Sequence, residues 1–289
     1  MIRDLNQRVV LIVLLALWVD QSAVAQNEPE PDVQWAYASF FGTGWYRIDD
    51  QRNAFIVRGT PRWQFGEAGF DERGQRQIGY TLRLPLTLGL KRSDFTDLPG
   101  TIDPDNFATV GINLGFDADI PVNRHWSLRP NAELGYGTVI NDSEYAWIYR
   151  GEIRSRYEFQ PHDPGWTAHA ALGYAGHTPN HGRSDSFSYV TLAVERSHRT
   201  RWQSSEGERI HLHWHLGYTD FIDELDFNSN STGQYSTGHA WQIAVSLAKP
   251  EQPFRFWRLK FDRLGLGYHF SPSSEHQAIT LVFRSIYDL

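Results

Sequence analysis

The sequence predicts an all-β fold: a transmembrane antiparallel up-and-down β-barrel of about twelve strands, behind an N-terminal signal peptide. Three observations predict it. Apolar and polar residues alternate over unusually long stretches, a high aromatic and glycine content coexists with a polar average, and the only long apolar run is a leader. From Trp126 onward one set of alternate positions reads Trp126, Leu128, Pro130, Ala132, Leu134, Tyr136, while the interleaved set reads Ser127, Arg129, Asn131, Glu133, Gly135, Gly137. Successive side chains of a strand point to opposite faces, so one face is wholly apolar and the other carries glycine, amides and charges. Lipid on one side, with water or paired ions on the other, satisfies both.

The leader comes first. Arg3 and Arg8 flank a polar start, Val9 to Trp18 form an apolar run, and "AVAQ" supplies small residues for cleavage after Ala25. The run is too short for a membrane helix, which needs about 20 apolar residues, and has the layout of a secretory signal. Residues 1–25 are therefore expected to be a signal peptide, 26–33 a short acidic periplasmic leader and 34–289 the barrel. Removing 25 of 289 residues leaves about 264, ample for one large β domain. Aromatic residues make up 14% of the chain and glycines number 24, yet mean hydropathy is −0.48, as an apolar outer face averaged with a polar lumen would give. The absence of cysteine excludes disulfides, thiolate nucleophiles and lipidated cysteine. A net charge of −7 leaves no basic footprint for nucleic acid.

Alternation punctuated by turn chemistry places strands near residues 34–46, 54–65, 77–91, 106–120, 125–139, 144–159, 165–176, 186–198, 208–219, 237–248, 255–270 and 276–289. Between them lie "DDQR", "EAGFDERG", "DLPGTIDPD", "PVNR", "INDS", "HDPG", "HTPNHGRS", "KPEQP" and "SPSSE", rich in Pro, Gly, Asp, Asn and Ser. Soluble strands average about 5–6 residues, whereas a strand crossing a bilayer needs about 9–11; most of these are longer than ten. An arginine on the lipid face near mid-membrane costs about 2–4 kcal/mol, which puts Arg83, Arg129, Arg150 and Arg154 in the lumen. Trp126, Tyr136, Trp166 and Tyr174 fall near strand ends, where interfacial girdles belong. Near Asp262 the apolar parity switches, which predicts a β-bulge. Residues 66–76 make a long turn on the periplasmic side, where turns should be short. The longest loops are expected at 92–105 and 220–236, with acidic residues (Asp94, Asp97, Asp103, Asp105; Asp220, Asp223, Glu224, Asp226) suited to divalent cations or to lipopolysaccharide bridged by them.

The last strand, "QAITLVFRSIYDL", resembles the terminal signal by which Gram-negative outer-membrane barrels are recognised for insertion, carried here by Phe283, Tyr287 and Leu289. Leu289 stands where an aromatic residue is usual, and Ser285 interrupts the apolar alternation. The stretches "GTGWYRIDD", "DFTDLPGTIDPDNF" and "IPVNRHWSLRPNAELGYG" resemble those of solitary autotransporter-like outer-membrane barrels, over essentially the whole mature chain. The resemblance implies a translocator-like barrel without a passenger in a Gram-negative outer membrane, with periplasmic termini; a monomer is the default expectation. It implies as partners outer-membrane lipids, lipopolysaccharide and the barrel assembly machinery.

Three constellations are candidates for chemistry. The lumen charge cluster comprises Arg83, Arg129, Glu133, Arg150, Glu152, Arg154, Arg156, Glu158, Arg258 and Lys260, joined on parity by Arg58, Arg62, Asp117, Asp119 and Glu195. It reads as a charge-selecting pore constriction, or as ion pairs that fill a narrow barrel; eight strands give a filled interior and sixteen a channel, and twelve lies between. His211, His213 and His215 share one face about 7 Å apart, a spacing that can grip a metal, and are equally at home as plain lumenal polar residues. No carboxylate is fixed beside them by the sequence. A lipid hydrolase would need a His with a nearby Ser on the lipid face; His125/Ser127 and His269/Ser271 have the spacing, but parity points both pairs to the lumen. The expectation is therefore a non-enzymatic barrel without cofactor or resident metal, possessing a narrow pore for small solutes, with a lipid-modifying hydrolase or a structural or adhesive barrel as the alternatives.

Overall fold

A computed structural model describes residues 42–47, 53–92, 107–140, 143–160, 165–181, 184–204, 207–227, 235–249, 253–256, 259–272, 276–285 and 287. Its strands are β1 (Gly44–Arg47), β2 (Asn53–Gly59), β3 (Arg62–Phe65), β4 (Gly69–Phe70), β5 (Arg76–Gln77), β6 (Gly79–Arg83), β7 (Leu86–Arg92), β8 (Phe107–Pro121), β9 (Trp126–Val139), β10 (Tyr145–Glu158), β11 (Trp166–Pro179), β12 (Asp185–Gln203), β13 (Arg209–Phe227), β14 (Tyr235–Ala248), β15 (Phe254–Phe256), β16 (Leu259–Phe261), β17 (Arg263–Phe270) and β18 (Gln277–Val282). Fourteen of them form one antiparallel sheet that closes on itself through β1–β18 and β8–β9, with β2/β3 and β6/β7 each serving as one bent wall strand: a 12-strand barrel. The bends are at proline. Pro61 and Pro85 lack the N–H that a ladder needs, and the flanking bonds Leu84 N–H to Pro61 O (3.0 Å) and Asn113 N–H to Pro85 O (2.9 Å) carry the wall past them.

The parity read from sequence is the parity of the wall. On β9, Asn131 and Glu133 are buried in the lumen while Leu134 is 57% exposed on the outside. The same outward set continues through Leu114, Ile153, Leu172, Leu192, Ile243 and Leu266, all exposed. The outer surface is thus an apolar band around the barrel, rimmed by Trp126, Tyr157 and Trp166 at one end and Tyr136, Tyr145 and Trp147 at the other. A soluble protein rarely leaves so large an apolar surface uncovered; this barrel is embedded in a membrane.

Turn chemistry explains the joints. In "PVNR", Asn123 Oδ1 accepts from the N–H groups of His125 (2.8 Å) and Trp126 (2.9 Å). The long turn at 66–76 is a decorated hairpin, with β4 and β5 pairing Phe70 with Arg76. Asp71 Oδ1 accepts from the N–H groups of Arg73 and Gln75, and Gly74 takes a left-handed φ of 73°.

Four expectations are corrected. The region 255–270 is not one bulged strand: β15 and β16 pair in their own two-stranded sheet, and the wall resumes at Arg263 after a bend at Asp262. Lys260 therefore lies on that hairpin, not on the barrel wall. Strands β12 and β13 run to 203 and 227, so Asp220 and Asp223 sit on a strand rather than in a loop, and the Tyr218 hydroxyl donates to Asp220 at 3.2 Å. The last wall strand ends at Val282, not at residue 289, because Tyr287 turns into the lumen. Residues 1–41 and the loop 93–106 lie outside the described residues, as does Leu289 of the expected insertion signal; Phe283 follows β18 and rests on Phe261 at 4.9 Å between ring centroids.

Candidate functional site: the lumen

Three tiers of inward side chains fill the lumen. The tier at the end away from Tyr287 is apolar and aromatic: Tyr46, Ile56, Phe187, Tyr189 and Phe221 pack together, with Phe187 between Tyr189 (6.0 Å) and Phe221 (5.7 Å). On β12, Phe187 and Tyr189 share parity with lumenal Ala193 and Glu195 rather than with outward Leu192 and Val194, which was the signal available in the sequence for placing those two inside.

The middle tier is ionic. β2, β6, β8, β9 and β10 bring Arg58, Arg83, Arg150 and Arg154 against Asp117, Glu133 and Glu152. Glu133, its side chain 1% exposed, meets Arg58 at 3.2 Å and Arg83 at 3.4 Å, and accepts from Asn113 Nδ2 at 2.5 Å. Arg83 also pairs with Asp117 at 2.9 Å. Glu152 Oε2 takes Arg150 (3.1 Å), Arg154 (2.6 Å) and Asn131 Nδ2 (3.1 Å). Charges this deep persist only when paired and hydrogen-bonded; here Glu133 and Glu152 each serve two cations and an amide, and Asp117 serves Arg83. Arg150 Nε donates to the Tyr189 hydroxyl at 3.1 Å, tying the ionic tier to the aromatic one. Tyr189 also lies over Gly173, where a Cβ would collide with its ring. Gly173→Val is expected to cost about 1–3 kcal/mol by overpacking, read as a lowered urea midpoint; an unchanged midpoint would mean that the ring moves freely.

The third tier closes the other mouth. The chain leaves the wall after Val282, and Tyr287, 4% exposed, enters the barrel. Its carbonyl oxygen accepts from Arg154 Nη1 (2.9 Å) and Arg129 Nη1 (3.2 Å), and its ring lies 4.2 Å from the Arg129 guanidinium carbon and 5.9 Å from the His169 ring. Arg129 is held by Asp119 through two bonds, and Arg156 by Glu158 at 2.6 Å. Beside them Arg263 grips Glu195 with both nitrogens, at 2.7 and 2.9 Å.

Of the expected lumen cluster, Arg83, Glu133, Arg150, Glu152 and Arg154 come together in the middle tier, and Arg129, Arg156 and Glu158 gather at the mouth around Tyr287. Arg258 and the Lys260 side chain lie outside the described residues. The sequence missed Arg263, the Tyr189 contact and the turn of Tyr287, because partners remote in the chain have no local signature. His211, His213 and His215 all face inward, and a carboxylate does stand beside them: Glu195, from the neighbouring strand, approaches His213 Nδ1 at 3.3 Å. Among the described residues no group of three or more His, Asp or Glu side chains is arranged to hold a metal. His125 Nδ1 bonds to the Glu158 carbonyl at 2.9 Å, Ser127 faces Tyr287, and His269 bonds to Thr280 inside the barrel at 3.2 Å. Neither His–Ser spacing builds a site on the lipid face.

No family model and no curated protein sequence matches the chain. A KdgM porin aligns over 82% of this chain and 93% of its own at 11% identity, but its TM-score of 0.37 is too low to carry an argument. The crystal structure of the β domain of the Bordetella autotransporter BrkA is similar over 83% of this chain and 91% of its own, at a TM-score of 0.51 and 12% identity, and what the two share is the closed β-barrel fold.

Proposed function

We propose that this chain is an outer-membrane barrel of a Gram-negative bacterium, a narrow pore held shut in the state described here. The observation that carries the reading is the nature of the obstruction at the mouth. It is not one of the paired wall strands: Tyr287 follows β18, is anchored by two guanidinium-to-carbonyl bonds, ring contacts and a hydroxyl contact with Ser127 at 3.4 Å, and takes no part in the strand pairing of the wall. Behind it the middle tier holds four arginines against three carboxylates, an imbalance that favours anions. A barrel that never conducts is the second reading, supported by the aromatic tier of Tyr46, Phe187, Tyr189 and Phe221.

Planar-bilayer recording on the refolded chain separates them. The intact barrel is expected to be silent or to flicker, and truncation after Ser285 to give stepwise, anion-preferring conductance. If the truncated barrel is as silent as the intact one, the pore reading fails and the structural barrel stands. Turnover of labelled phospholipid by the silent protein would instead indicate a hydrolase.

A further inference from the structure

Arg196 is a cation on the lipid-facing side of the barrel. It shares the outward face of β12 with Leu192 and Val194, which are exposed, while its neighbour Glu195 points into the lumen and is gripped by Arg263. Among the described residues it has no ion pair. A lone arginine at the edge of an apolar band normally snorkels toward water. This one is held on the wall. Its guanidinium carbon lies 5.0 Å from the ring centroid of Trp166, its cross-strand partner on β11. Trp214, its partner on β13, meets Trp166 edge-on at 5.2 Å, and the Trp214 indole N–H donates to His198 Nε2 at 3.4 Å. Trp166 opens β11 next to the 159–165 turn, so the cluster sits at the rim, at the end of the barrel that holds Tyr287. Toward mid-wall the outward side chains become short: Ala168 and Ala170 on β11, with Ser155 opposite Ala170 and capped by Trp126 Nε1 at 2.8 Å.

We infer that this cluster is a binding site for a phospholipid of the adjacent leaflet. Arg196 takes the phosphate diester, Trp166, Trp214 and His198 frame the headgroup, and an acyl chain lies in the trough over Ala168 and Ala170. The guanidinium fork matches a phosphate and needs an anion where water is scarce. Tryptophan is the side chain suited to headgroup depth. The trough distinguishes a lipid from free phosphate, which would use the guanidinium alone. The inference rests on the membrane-barrel reading and is independent of whether the lumen conducts.

Native mass spectrometry of the refolded full chain tests it, with phosphatidylglycerol as probe and diacylglycerol and inorganic phosphate as comparisons. Phosphatidylglycerol is expected to be retained in preference to diacylglycerol. Arg196→Gln should lower its retention about tenfold, the loss of one charge-assisted hydrogen-bonded contact, and Arg196→Lys should restore part of it. Ala170→Trp, which fills the trough, should weaken retention with Arg196 intact. Unchanged retention in Arg196→Gln, equal retention of diacylglycerol, or full competition by inorganic phosphate with no effect of Ala170→Trp would each overturn the site. Should Arg196→Gln lose the heat-modifiable gel mobility of a folded barrel, Trp166→Ala gives the same reading. A wild-type chain that lacks that mobility or stays soluble without detergent would instead remove the membrane-barrel reading beneath it.

Discussion

Glu133→Ala is expected to destabilise the barrel by about 3–5 kcal/mol, the usual loss when one member of a buried ionic cluster is removed and its partners remain. Arg58 would lose its Glu133 contact at 3.2 Å, Arg83 would retain Asp117, and Asn113 Nδ2 would lose the acceptor at 2.5 Å. Glu133→Gln keeps the shape and one acceptor but removes the charge, and should fall between wild type and alanine. The measurement is the urea midpoint of unfolding from lipid vesicles, followed by tryptophan fluorescence. Its meaning reaches beyond stability. Were the lumen filled with mobile water, the orphaned guanidiniums would be solvated and the loss would shrink below about 1 kcal/mol, the range of exposed pairs. A small effect would therefore contradict the packed middle tier on which the shut pore depends.

Leu134→Arg, at the very next residue, is expected to cost about 2–4 kcal/mol for the opposite reason. Leu134 faces outward near the centre of β9, 57% exposed to the surrounding lipid. An arginine there must either bury its charge in hydrocarbon or drag water and headgroups inward. The penalty depends on depth: Trp126→Arg, at the rim of the same strand, should cost only about 0–1 kcal/mol for its charge. The same unfolding measurement in vesicles reports both. Equal costs at the two positions would show that the band does not meet lipid as described.

Two strands show how far the site was legible in the sequence. On β10 the order Arg150, Glu152, Arg154, Arg156 and Glu158 at every second position announced a charged face, and the wall turned that face inward as read. On β12 the same logic placed Glu195 inside but left Phe187 and Tyr189 unremarked, since an aromatic residue suits lipid and a packed lumen equally well. The chain end misled more plainly. "QAITLVFRSIYDL" alternates as a strand should, yet among the described residues it pairs with β1 over 277–280, from Arg47 to Gly44, with one more bond from Leu281 N–H to the Thr43 carbonyl at 2.8 Å. Beyond Val282 the arginines of β9 and β10 hold Tyr287 inside the barrel.

The sequence by itself determined the class of fold, the number of wall strands and which face of each meets lipid. These follow from a two-residue period that any local stretch displays, and from the high cost of a charge in hydrocarbon. Only the tertiary structure decided which arginine meets which carboxylate, that Glu195 stands beside His213, and that Tyr287 enters the mouth. Those choices join strands far apart in the chain. They depend on register and on closure of the barrel, which bring distant side chains within hydrogen-bond reach and leave no mark in the local pattern.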